Sequence, residues 1–162
     1  MYSLNELEAL VGKVIYTSDT KSYNQHDLQA FSDLTGDRQW IHIDVDRCSK
    51  EGIFPKKKPV VFGLQTISAH GTNMLLAFPK ITLFLTEVSE VKFNRPVYVD
   101  DEIYETCKLL SVKDSSDKIF ELMIEGATWQ KNRNKLCLKI TMKIFMCKGV
   151  PATREKEEHV SN

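Results

Sequence analysis

Gly63-Leu64-Gln65-Thr66-Ile67-Ser68-Ala69-His70-Gly71-Thr72-Asn73-Met74-Leu75-Leu76-Ala77-Phe78-Pro79 is the stretch from which the rest of the chain can be ordered. Leu64, Ile67, Gly71, Met74, Leu75 and Phe78 recur at i, i+3, i+4 spacing, which predicts a helix that Pro79 ends. It is apolar enough to be largely buried. Beyond it the period changes. Ile81–Asn94, Glu102–Val112, Ile119–Trp129 and Leu136–Cys147 read as strands, separated by Asp100-Asp101, by Asp114-Ser115-Ser116-Asp117 and by Asn132-Arg133-Asn134. In the last of them Leu136, Leu138, Ile140, Met142, Ile144 and Met146 alternate with a set that includes Lys139, Thr141 and Lys143, so one face is core and the other is not. Strands joined in succession by short turns predict an antiparallel meander. A buried helix followed by such a sheet gives an α+β class in which the sheet wraps the helix.

Upstream, Ser3 and Glu6 form a capping-box pattern, and Leu4, Leu7 and Leu10 continue a stripe that stops at Gly12. Lys13–Thr17 reads as a short strand. Asn24 then caps a second helix whose apolar positions Leu28, Phe31 and Leu34 end at Gly36. Residues 37–62 hold no sustained period. Gly52, Pro55, Pro59 and Lys56-Lys57-Lys58 mark them as a long loop with one short helical turn around Asp44–Lys50, and a loop that long inside a compact domain is functional or mobile. From Pro151 the chain is polar and aperiodic, so residues 1–150 are expected to form a single domain and 151–162 a frayed tail.

Composition excludes several classes. Hydrophobic residues at 42% and charged residues at 27% fit a globular chain and not a disordered one. The 22 Lys and Arg balance 22 Asp and Glu, which gives no field for a nucleic-acid partner. The lysine run at 56–58 is open to two readings, a solvated loop or a phosphate contact. No run approaches the ~18 apolar residues of a membrane span, and the first residues lack a basic segment followed by an apolar one, so a cytoplasmic protein is expected. Cys48, Cys107, Cys137 and Cys147 show no C-x-x-C spacing; packed, reduced thiols are expected, with no metal and no cofactor.

The residues that can carry chemistry are Thr35-Gly36-Asp37-Arg38-Gln39-Trp40-Ile41-His42. On a regular helix, Asp37 and His42 would point about 140° apart, at ~100° per residue. A turn removes that obstacle. Gly36 has the freedom to leave the helix, while Trp40 and Ile41 can anchor the segment so that the carboxylate and the imidazole converge on one cavity. Taken by spacing alone, the pair favours a structural reading, a capping Asp and a loop His. His70 falls in mid-helix and reads as a helical or interface residue. His26, His159 and Ser68 have no evident catalytic partner in sequence.

Gly36-Asp37-x-x-x-Ile41-His42 resembles the G-D-x-N-P-[aliphatic]-H signature of the MaoC-like hydratases, and Thr35 through Asp44 is similar to its NodN-like branch. The resemblance extends to the opening helix, to Phe31, to the glycine-led helix at Gly63 and to Val91-Lys92-Phe93-Asn94-Arg95-Pro96-Val97 with Asp101-Glu102, nearly the whole chain up to Lys148. It implies a hot-dog fold, usually a homodimer, that hydrates a trans-2-enoyl thioester of coenzyme A or acyl carrier protein to the (3R)-3-hydroxyacyl thioester, or runs the reverse. In that reading Asp37 and His42 bracket the water and the Gly63 N–H polarises the thioester carbonyl. Phe62, Trp40, Lys57 and Arg95 are the expected substrate-binding residues. The chain departs from the family in two places: Phe62 stands where many relatives carry His, and Gln39-Trp40 replaces Asn-Pro. A non-catalytic acyl-thioester binder and an acyl-CoA thioesterase are the alternatives on the same fold.

Overall fold

The computed structural model describes residues 2–151. The chain opens with α1 (Leu4–Glu8), where the capping box between Ser3 and Glu6 is formed and Leu7 is driven fully into the core. β1 (Val14–Thr17) and α2 (Gln25–Thr35) follow, the latter capped by Asn24 through Asp27. Two short helices come next, α3 (Trp40–Ile43) and α4 (Val45–Glu51), and then the long helix α5 (Gly63–Ala77). The second half is β2 (Ile81–Phe93), β3 (Ile103–Ser116), β4 (Ile119–Gln130) and β5 (Lys135–Pro151), with one 3-10 turn at Lys131–Arg133.

The five strands form one antiparallel sheet in the order β1-β3-β4-β5-β2. The expected simple meander is therefore correct only for β3-β4-β5. β2 pairs with β5 at one edge, and residues 94–102 carry the chain across to β3 beside β1 at the other. That crossing has its own backbone partners: the Asn94 N–H donates to the Cys137 carbonyl, and the Val61 and Val99 N–H groups donate to the Val97 and Pro59 carbonyls. The crossing segment thus lies against residues 59–61, directly before α5, which is how the sheet reaches the candidate site. β3 also runs four residues past its expected end. Asp114 to Ser116 read as turn residues by composition, yet they stay in the ladder at its exposed end, where the Lys148 ammonium donates to Asp114 and to the Ser116 carbonyl. The expected tail from residue 152 onward lies outside the described residues.

Alternation along the strands sends Cys107, Leu109, Leu122, Ile124, Ile140, Met142, Ile144 and Met146 to one face, where they pack with Leu7, Met74 and Phe78. A smaller cluster of Leu28, Val61, Phe62, Val97, Ile103 and Cys137 surrounds the start of α5. The inner stripe of α5 is unexpectedly polar for a central helix: Thr66, His70 and Asn73 are all buried. His70 Nε2 meets Thr128 Oγ1 at 3.1 Å, and Asn73 Nδ2 donates to Glu105 Oε2 at 2.6 Å. Thr128 and Glu105 are register partners on β4 and β3, so two helix residues one turn apart dock on one cross-strand pair.

Candidate active site

The bend after α2 is built as its sequence requires. Gly36 takes the left-handed region at φ 77° and donates its N–H to the Ser32 carbonyl at 2.8 Å, ending the helix. Buried Ser32 then donates its hydroxyl to the Asp37 carbonyl at 2.6 Å, so the chain leaves in a fixed direction. Asp37 Oδ1 accepts the Gln39 N–H at 3.1 Å, a local turn that starts α3. The one turn of α3 carries His42 inward. Its carbonyl and that of Ile43 accept from Gln25 Nε2 at 3.2 and 3.4 Å. The sequence reading missed α3, because four residues are too few to establish a period.

His42 is buried, and its Nδ1 lies 2.5 Å from the Val60 carbonyl. A carbonyl only accepts, so Nδ1 is the donor in this contact, and in the neutral tautomer Nε2 is the nitrogen with the lone pair. The ring also stacks on Phe62, with centroids 3.9 Å apart and planes 25° apart. Two hollows meet at this imidazole. One, of about 120 Å³, is lined by Asp37, His42, Phe62, Gly63 and Leu64 with Phe31 and Thr35. The other, of about 440 Å³, is lined by His42, Gly63, Phe54, Thr66, Phe93, Arg95 and neighbouring residues including Cys137. His42 and Gly63 line both.

Gly63 is the first residue of α5, and the first bond at that end runs from the Thr66 N–H to the Phe62 carbonyl at 3.1 Å. The N–H groups before Thr66 are thus free of intrahelical partners and favour negative charge. Glycine leaves room here for a neighbouring ring. A Cβ would sit 2.7 Å from Phe93 Cε1 and 2.8 Å from its Cζ, so the bare backbone lets the Phe93 ring lie across the helix start.

The structure brings Asp37, His42, Gly63 and Phe62 together, and it puts Arg95 on the larger cavity. The exposed Arg95 guanidinium donates to the Leu136 carbonyl at 3.1 Å. Trp40 and Lys57 do not join them. Both line a separate hollow of about 10 Å³, where the Arg47 guanidinium covers the Trp40 ring at 4.4 Å. In the lysine run, Lys56 pairs with Asp101 and Lys58 lies 3.9 Å from Asp100. Phe62 does not fill the larger cavity; it is 3% exposed and wedged between His42 and Phe31, whose centroid is 5.1 Å away. Val60, Thr66 and Phe93 were not legible as site residues, since long-range packing sets their position: Val60 by pairing of 59–61 with 97–99, Thr66 by α5 and Phe93 by its pairing with Leu138. The four cysteines are free thiols; burial raises Cys48 and Cys137, and pushes Cys107 up to about 12. Among the described residues no group of His, Cys, Asp and Glu is arranged to hold a metal ion.

The chain is 29% identical over 123 residues, 69% of this chain and 74% of the relative, to 3-hydroxyacyl-thioester dehydratase Z of Mycobacterium tuberculosis. Among solved structures it is similar to the (R)-hydratase of A. caviae involved in PHA biosynthesis, with a TM-score of 0.67 at 17% identity, covering 82% of this chain and 95% of that one. It is similar also to R-hydratase PhaJ1 of Pseudomonas aeruginosa, with a TM-score of 0.69 at 16% identity over 93% and 92% of the two chains. These two likenesses bear out the hot-dog architecture. The family model described as MaoC like domain matches residues 6–127, from α1 into β4 and across the whole of the Asp37–His42–Gly63 site, and this chain therefore belongs to the MaoC-like dehydratase family.

Proposed function

We propose that this protein is a hydratase and dehydratase of acyl thioesters that interconverts a trans-2-enoyl thioester and its (3R)-3-hydroxyacyl thioester. The observation that carries this is the small hollow lined by Asp37, His42 and the start of α5, two of whose residues, His42 and Gly63, also line the larger cavity. Water occupies the small hollow and the acyl end of the thioester the large one. Asp37 and His42 between them take one proton from water and return one to C2, while the water oxygen bonds to C3. The C2=C3 electron pair moves first toward the thioester oxygen, where the Gly63 N–H holds the developing charge, and then to the new C2–H bond. Positioned acid/base groups contribute about 10²–10⁴-fold, and one oxyanion donor about 10²–10³-fold. Nε2 of His42 is the basic nitrogen in this scheme, because Nδ1 is committed to Val60.

Arg95 is the cation on the larger cavity that would meet the phosphates of the carrier, in keeping with a coenzyme A substrate. Lys56 and Lys58, with carboxylate partners, favour the solvated-loop reading of their run. A homodimer in a reducing, cytoplasmic setting completes the proposal, in line with the unpaired cysteines and the apolar residues along β2.

The test is to supply crotonyl-coenzyme A and follow the enoyl absorbance and the product. Loss of the absorbance with formation of the (3R)-hydroxy thioester is expected. Release of free thiol instead would assign a thioesterase, and binding without turnover at any chain length would assign a carrier.

A further inference from the structure

We infer that Phe62 is a positioning residue for His42: its ring, stacked on the imidazole, fixes the plane in which the basic nitrogen meets the hollow it shares with Asp37. The inference rests on the acid/base role proposed above for His42. It goes beyond that role in assigning work to an apolar side chain.

The geometry is that of one short extended segment with three outputs. Residues 60–62 are held on both sides: the Val60 N–H donates to the Ile41 carbonyl at 2.9 Å, the Val61 N–H donates to the Val97 carbonyl at 2.8 Å, and Val60 forms a bridge with Tyr98. From this segment the Val60 carbonyl fixes which nitrogen of His42 carries the proton. Two residues on, Phe62 covers one face of the same ring. Gly63 then begins α5.

A hydrogen bond to Nδ1 alone leaves the imidazole free to swing about the bond's axis. The stack limits that motion, because tilting the imidazole would drive its edge into the Phe62 ring, whose centroid is 3.9 Å away. Phe62 is itself immobile. Its side chain is 3% exposed, Phe31 packs on it at a 45° tilt, and its carbonyl is tied to Thr66 through both the N–H and the hydroxyl. Covering one face of the imidazole also means that reacting groups approach His42 along its edge or from the uncovered side.

The experiment compares Phe62→Leu, which keeps an apolar side chain and loses the ring, with Phe62→His, which keeps a planar ring, in the full-length protein. Two readouts are taken: kcat and KM on crotonyl-coenzyme A, and the nitrogen and ring-proton NMR signals of His42 without substrate. For Phe62→Leu we expect kcat to fall on the order of 10- to 100-fold with KM within about twofold, since misplacement of a reacting group acts on the chemical step. Its His42 signals should lose their ring-current displacement and broaden into a mixture of ring orientations. Phe62→His should keep kcat within a few-fold of the parent and retain one ordered His42 ring. Equal loss in both variants, or unchanged kcat and unchanged His42 signals in Phe62→Leu, overturns the inference. Should the parent protein turn over no enoyl thioester, the proposed reaction fails, and the NMR comparison still decides whether Phe62 orders His42.

Discussion

His70 is an imidazole with no exposure, held by Thr128 through Nε2 while Nδ1 has no hydrogen-bond partner among the described residues. Burial pushes it below the ordinary histidine value, and the Glu105 carboxylate offsets this only in part. The sign of the consequence is fixed by linkage. The unfolded chain takes up the proton at a higher pH than the folded one, so the folded state is favoured in full above the ordinary value of about 6.5 and loses stability as pH falls below it. Unfolding in urea at pH 7.5 and at pH 5.5 should show a drop at the lower pH, and His70→Gln should flatten it. A slope identical in the variant would mean that another group is responsible. The same buried corner holds Glu105, which accepts from Asn73 and pairs with Lys21 at 2.9 Å. For Lys21, burial works against the charge, yet the Glu105 contact prevails and raises it.

At the scale of elements, packing of α5 against the sheet turns on one absent side chain. A Cβ on Gly126 of β4 would lie 2.7 Å from His70 Nδ1 and 2.8 Å from Ile140 Cγ2, two buried groups with no room to retreat. Gly126→Ala should therefore cost about 1–3 kcal/mol in chemical denaturation, the usual penalty of overpacking; a loss under about 0.5 kcal/mol would show that α5 can shift. Such contacts explain what could be read from the chain and what could not. Helix starts and stops were legible because Ser3, Asn24 and Gly36 act on their own neighbours. The alternation of β5 was legible for the same reason. The pairing of β2 with β5 was not, because a 13-residue strand with a half-exposed face fits either side of a sheet equally well by pattern. Asp37, His42 and Gly63 could be named because a motif carries them. The Val60 carbonyl and the Phe62 stack could not, since no local signal encodes which backbone oxygen a distant ring will find.

For the whole molecule, the two edges of the sheet differ. β1 is four residues long and irregular in register, a short edge that invites little further pairing. β2 is long and leaves Phe84, Leu85 and Val88 exposed, and α5 exposes Leu64, Leu75 and Leu76. A two-fold partner covering such surfaces would close the open edge. Light scattering should give twice the chain mass of 18.6 kDa, and Phe84→Asp with Val88→Asp should shift the protein toward a monomer; a parent protein that is monomeric at all concentrations would exclude this arrangement. The central claim concerns two residues that act on one water, and it is tested most directly by a double-mutant cycle. Asp37→Asn, His42→Gln and the combined variant are assayed on crotonyl-coenzyme A after each is shown to be folded. Each single change should lower kcat/KM by about 10²-fold or more, and the combined change should lower it little further, because groups that act as a unit are lost together. Losses that multiply independently, or single variants that retain the parent rate, would contradict a shared role for the carboxylate and the imidazole.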